Sequence, residues 1–188
     1  MTQEKRNLNS APSITGKRIY GYASKFNVRS ENFGTPENPI YEIIEKGAFD
    51  GRLLDNCVML FNHDNNHVLA RSNGGKGTLK LSIDSVGLRY EFEAPDTQLG
   101  RDLVVSMKRG DITSSSFAFS VAKDGEKWEL EGKAKIRRIT KIARLYDCSV
   151  VTTPAYPDAD ANARSNKPTP PSSNHKINHL RRKLDLLK

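Results

Sequence analysis

Nucleophilic acyl transfer needs a hydroxyl or thiol, a base within hydrogen-bond reach, and a third group that orients the base. Outside its C-terminal stretch the chain has two histidines, His63 and His67. His63 closes the compact apolar run CVMLFNH, which reads as a buried strand whose last residue emerges at a surface; that is a rigid place from which to aim a ring. His67 lies in HDNNH and reads as part of a loop. A metal pair made of His63 and His67 with Asp64 needs a helix to bring i and i+4 together, and Asn65-Asn66 argues against one, so neither a metal nor a cofactor is expected. The hydroxyl candidates are Ser114, Ser115 and Ser116, just before Phe-Ala-Phe. On a strand Ser114 and Ser116 face one way, and Ser115 faces the other way with Phe117 and Phe119. Asp147 sits in the β-branched run RLYDCSVV. A carboxylate half-buried among apolar residues needs a partner, either a histidine or a neighbouring arginine such as Arg137 or Arg138. Taken singly, each of these residues also has an ordinary reading as a polar surface or strand-edge position.

The elements that must position them are mostly strands. RIYGYASKFNV predicts a strand near 18–27, YEIIEKGAF a short strand entering a turn, and GAFDGRLLD a short helix. HVLARS follows as a short strand, and GTLKLSID and GLRYEFEA alternate around Asp84-Ser85 as a hairpin. Leu99, Leu103 and Met107 recur at i, i+4 and i+8, which predicts a helix over 97–108 with Thr97 or Asp96 as N-cap and Gly110 past its end. SSSFAFSV, KWELEGKAKIRRI and RLYDCSVV read as three further strands. The expected fold class is mainly β, with one clear helix and one shorter one, and the many short strands with turn signals suggest a small barrel rather than a doubly wound sheet.

Composition narrows the function classes. No run approaches the roughly 18 apolar residues of a membrane helix, and the N-terminus lacks the apolar middle of a secretory signal, so a cytoplasmic protein is expected. Cys57 and Cys148 each lie in an apolar run and read as buried, reduced thiols. The net charge is +8, but residues 161–188 hold seven basic residues and one acidic residue, while residues 17–160 hold 21 basic and 20 acidic. A nearly neutral body with 7% aromatic residues disfavours a nucleic-acid platform. The chain divides into a disordered leader (1–16), one domain (17–160), and a tail (161–188) in which the Pro/Ser-rich linker SNKPTPPSSN precedes a basic amphipathic helix bearing Ile177, Leu180, Leu184 and Leu187.

In order and spacing, GYAS, EIIEKGAF, LFNHD followed by LAR, LRYEFEAP, RGDI, SFAF and LYDCSVVTTPAYPDA resemble the prohead maturation proteases of tailed phages. The resemblance implies a fold similar to the herpesvirus assembly proteases, a closed β-barrel flanked by helices. It implies a serine nucleophile directly before Phe-x-Phe, which is Ser116, and a base directly before Asp, which is His63. The third member matches Asp147, where Glu is common, so the shorter acid must reach from a different geometry. Gly and a bulky residue often precede the serine; here Ser114 and Ser115 stand there, and Ser114 is the alternative nucleophile. Oxyanion donors are expected in the turn after Asp147, from the amides of Thr153 or Ala155, because Pro154 has none. The implied partners are the major capsid protein with its scaffolding segment and a second copy of the chain, with autoproteolysis, in the host cytoplasm inside the assembling prohead. No membrane or nucleic-acid partner is implied. The competing readings are an inactive, scaffold-like assembly protein and a basic nucleic-acid-binding protein. The tail reads as either a packaging arm or an autolysis substrate.

Overall fold

The computed structural model describes residues 2–8 and 10–152. In chain order these form β1 (Glu4–Leu8), β2 (Ser13–Thr15), β3 (Arg18–Lys25), β4 (Ile40–Ile44), a 3-10 turn (Gly51–Leu54), β5 (Val58–Phe61) and β6 (Asp64–Arg71). There follow β7 (Leu79–Ile83), β8 (Gly87–Glu93), α1 (Gln98–Arg109), β9 (Ser114–Val121), β10 (Glu126–Glu131), β11 (Ala134–Ile139) and β12 (Ile142–Val151). The tail, with its linker and Leu-rich stripe, lies outside the described residues, as do Thr153 and Ala155. Among the described residues no helix is long and apolar enough to cross a membrane.

The strands make three sheets, ordered β1-β9-β12-β5-β6, β10-β11-β4 and β2-β3-β8-β7. The mainly β expectation holds; the closed barrel does not, because the three sheets do not join into one. Strand periodicity tells which face of a strand is buried and leaves open how sheets close on each other. Their inner faces meet in one large cluster that includes Ile19, Met59, Leu88, Tyr90 and Phe119, and α1 adds Leu103 and Met107. Burial pushes the Tyr90 phenol up, so it stays neutral and shares a hydrogen bond (2.7 Å) with the Ser115 hydroxyl inside that core. Cys57 and Cys148 are free, fully buried thiols with sulfurs 3.8 Å apart.

The helix matches its sequence signals. Thr97 accepts a hydrogen bond from the Gly100 amide, and Gly110 closes the helix at φ +83°. Four expectations need correction. The described part of the expected disordered leader (1–16) holds two strands: β1 pairs antiparallel with β9, and β2 pairs with β3. Charge holds the polar segment where apolar burial cannot. Arg6 pairs with Glu42 (2.7 Å), and Arg137 meets Glu4 (2.9 Å), Glu42 (3.0 Å) and Glu126. Those partners lie far along the chain, so local polarity gave no sign of them. KWELEGKAKIRRI is not one strand but the β10–β11 hairpin, turning at Gly132 with φ +60°. The short helix in GAFDGRLLD is a single 3-10 turn, with Asp50 accepting from the Arg52 amide. His67 lies within β6 rather than in a loop.

Candidate active site

Strands β5 and β6 form a hairpin in which Phe61 faces Asp64, so Asn62 and His63 alone make the connection. Both have positive φ, +52° and +58°. A two-residue turn of this kind matches the right-handed twist of its strands and is ordinarily filled by Asn-Gly. Asn62 suits its place. A histidine where glycine is usual costs on the order of 1 kcal/mol in backbone strain. The sequence placed His63 at the end of a strand; it occupies the tight turn just after it. The turn is fastened to β12 at three points: the Asn62 amide donates to the Val150 carbonyl (3.0 Å), the Thr152 amide to Asn62 Oδ1 (3.1 Å), and the His63 amide to Ser149 Oγ (3.2 Å). Parallel pairing of β12 with β5 makes this possible, since it brings Asp147, Ser149 and Val150 alongside Val58, Leu60 and Phe61.

On the other side, β12 runs antiparallel to β9, with Ser149 opposite Ser116 and Asp147 opposite Ala118. The register shifts between Leu145 and Asp147. That bulge at Tyr146 reverses the alternation. Leu145, Cys148 and Val150 belong to the core cluster, while Asp147 and Ser149 point to the face that carries Ser116.

His63 lies between the other two candidates. Its Nδ1 is 2.6 Å from Asp147 Oδ1, and its Nε2 is 2.6 Å from Ser116 Oγ. A carboxylate only accepts, so Nδ1 carries the ring proton and the neutral ring presents Nε2 as an acceptor. The Ser116 hydroxyl has a second acceptor, the Arg6 carbonyl at 2.8 Å on the paired strand β1. One proton thus faces two acceptors. Ser116 is 0% and Asp147 5% exposed, so neither has water as an easy substitute for these bonds. A hydroxyl, an imidazole and a carboxylate in this order can do general-base chemistry on the hydroxyl.

The other candidates separate cleanly. Ser114 stands opposite Val151, one step along the same face, and His63 bonds Ser116. Ser115 bonds Tyr90 on the core side. His67 pairs with Asp64 (3.0 Å) on an exposed stretch of β6. Among the described residues no cluster of three or more His, Cys, Asp or Glu could hold a metal. Arg137 and Arg138, the alternative partners for Asp147, are taken by Glu4, Glu42 and Glu126 and by Glu129 and Glu45.

Sequence reasoning missed Asn62, Ser149 and Arg6. The dipeptide Asn62-His63 between two apolar runs was a turn signal without its usual glycine. Ser149 follows Asp147 at the spacing that puts both on one strand face. Nothing local marked Arg6, whose contribution is a backbone carbonyl.

A family model described as caudovirus prohead serine protease matches residues 4–171. The match begins within the segment that folds as β1. No curated protein and no solved structure matches the chain, so the expected likeness to the herpesvirus assembly proteases has no structural match behind it.

Proposed function

Because the chain belongs to the caudovirus prohead serine protease family, we propose that Ser116 is its nucleophile, His63 its general base and Asp147 the acid that orients the base. The family makes it a serine peptidase of phage prohead maturation, acting on phage capsid proteins. Its substrate in this reading is the scaffolding segment of the major capsid protein, together with its own chain. Its place is the interior of the assembling prohead in the host cytoplasm, where it acts as a homo-oligomer.

The observation that carries the assignment is the pair of 2.6 Å contacts through the two nitrogens of one imidazole. His63 Nε2 takes the Ser116 proton as Oγ bonds to the scissile carbonyl carbon. Asp147 keeps the Nδ1 proton in place and stabilises the imidazolium. His63 then gives the proton to the leaving amine, the C–N bond breaks, and an acyl ester remains on Ser116. A water, deprotonated by the same ring, hydrolyses the ester and restores the hydroxyl. Amides of the segment that follows β12, from Thr153 or Ala155, are the proposed oxyanion donors; losing one such donor typically costs about 10²–10³ in rate.

Co-expression with the cognate capsid protein, read by intact mass, tests this. The wild type shortens the capsid protein, and Ser116→Ala leaves it at full length while folding normally. Processing at wild-type rate by Ser116→Ala refutes the assignment.

A further inference from the structure

The Ser149 side chain is fully buried and touches both the acid and the base. Its hydroxyl donates to Asp147 Oδ1 (2.9 Å), the same oxygen that accepts from His63 Nδ1. It accepts from the His63 backbone amide (3.2 Å), and its oxygen lies 3.2 Å from His63 Nδ1. The polarity of the three contacts is consistent. The single hydroxyl proton goes to the only acceptor, and the oxygen lone pairs face two N–H groups. Ser116, by contrast, has one proton and two acceptors. Ser149 therefore has one satisfied arrangement, while Ser116 has two competing ones.

Each contact addresses a specific weakness of the site. Asp147 is shorter than a glutamate and has few rotamers, but its carboxylate can still turn about its last bond. A second donor on Oδ1 fixes that angle. The His63 amide belongs to a two-residue turn and has no partner on β6, so this partly buried N–H would go unpaired without Ser149. The same bond holds the backbone of His63 in its left-handed conformation.

We propose that Ser149 is a positioning residue for proteolysis, a hydroxyl clamp that sets the carboxylate of Asp147 and the backbone of His63 relative to each other so that Nε2 stays in line with Ser116. The proposal rests on the roles given above to Ser116, His63 and Asp147.

The rate at which a serine-directed fluorophosphonate labels position 116 tests both readings and separates them. Wild type labels and Ser116→Ala does not; failure of the wild type to label overturns both. For Ser149→Ala, loss of a hydrogen bond to a charged group predicts labelling slowed by about 10–100-fold. Peptide cleavage falls to the same extent in kcat with KM unchanged. Ser149→Thr, which restores the hydroxyl, recovers most of the rate, and Ser149→Cys, a weak donor of similar size, falls between; these two carry the test if the alanine variant does not fold. A proton NMR spectrum reads the geometry without turnover. The far-downfield resonance of the Nδ1 proton in wild type moves upfield and exchanges faster in Ser149→Ala, an effect that loss of stability alone does not produce in a folded protein. Labelling of Ser149→Ala at the wild-type rate, or an unchanged Nδ1 resonance, overturns the role of Ser149 and leaves that of Ser116 standing.

Discussion

The β5–β6 and β10–β11 hairpins solve the same problem in opposite ways. Both reverse the chain through positive φ. At β10–β11 the residue is Gly132, and a Cβ built there would meet nothing within 4 Å. At β5–β6 the residues are Asn62 and His63, and the strain of a non-glycine turn is held by bonds to β12. The first turn is shaped only by what a chain reversal requires. The second accepts a worse backbone to put an imidazole between a carboxylate and a hydroxyl. Their neighbourhoods differ too: β10 is exposed along its whole length, while β9 is buried up to its last residue and β12 is buried from Asp147 onward.

The comparison can be broken at several points. The largest effect is expected for Asp147→Asn. An asparagine can present N–H to Nδ1 and so move the ring proton to Nε2, which then cannot accept from Ser116. Turnover should fall by about 10⁴-fold with the melting temperature unchanged at neutral pH; a near-wild-type rate would make the acid structural. A smaller effect is expected in the other hairpin. Gly132→Ala has room for its methyl but not the right φ, so it should cost about 1 kcal/mol in stability by denaturant titration and leave cleavage untouched. Lost activity in that variant would show that β10–β11 takes part in the chemistry.

The smallest effect concerns the charges that join β11 to β1. Burial raises the Glu4 carboxyl, but Arg137 and Arg6 outweigh it and hold the group below its usual value of 4.5. A carboxylate lowered in the folded state stabilises fully above its unfolded value and loses that contribution as pH falls through its folded one. The protection of the β1 amides, taken relative to intrinsic exchange at each pH, should therefore be full near neutrality and fall only below about pH 4.5. The β5–β6 turn, whose backbone is fastened by uncharged bonds, should keep its protection over the same window. Equal loosening of both would show that the two segments are held by the same kind of bond.

How much was legible follows from the same contrast. Alternation within β9 paired Ser116 with the face away from Phe117 and Phe119, and the scarcity of histidines narrowed the base to two positions. The tight turn at Asn62-His63 was not legible, since its strain is sustained by Val150, Ser149 and Thr152 from far along the chain. Strand β1 was hidden for a related reason: a polar pentapeptide becomes a strand when Glu42 and Arg137 meet its charges. The Gly132 turn was legible and overlooked, because the flanking residues alternate on both sides of it. The barrel was inferred from the many short strands as well as from resemblance, and no local pattern fixes whether sheets meet at their edges.

The bulge at Tyr146 makes strand register as informative as residue identity. Straighten that bulge without removing a residue, so that Tyr146 pairs with Ala118, and the pleat downstream changes parity: the acid and Ser149 would turn into the hydrocarbon interior, and Cys148 would take their place beside the imidazole. Two proteins sharing every motif letter of this strand but differing in whether it bulges there would present different chemistry on the same scaffold.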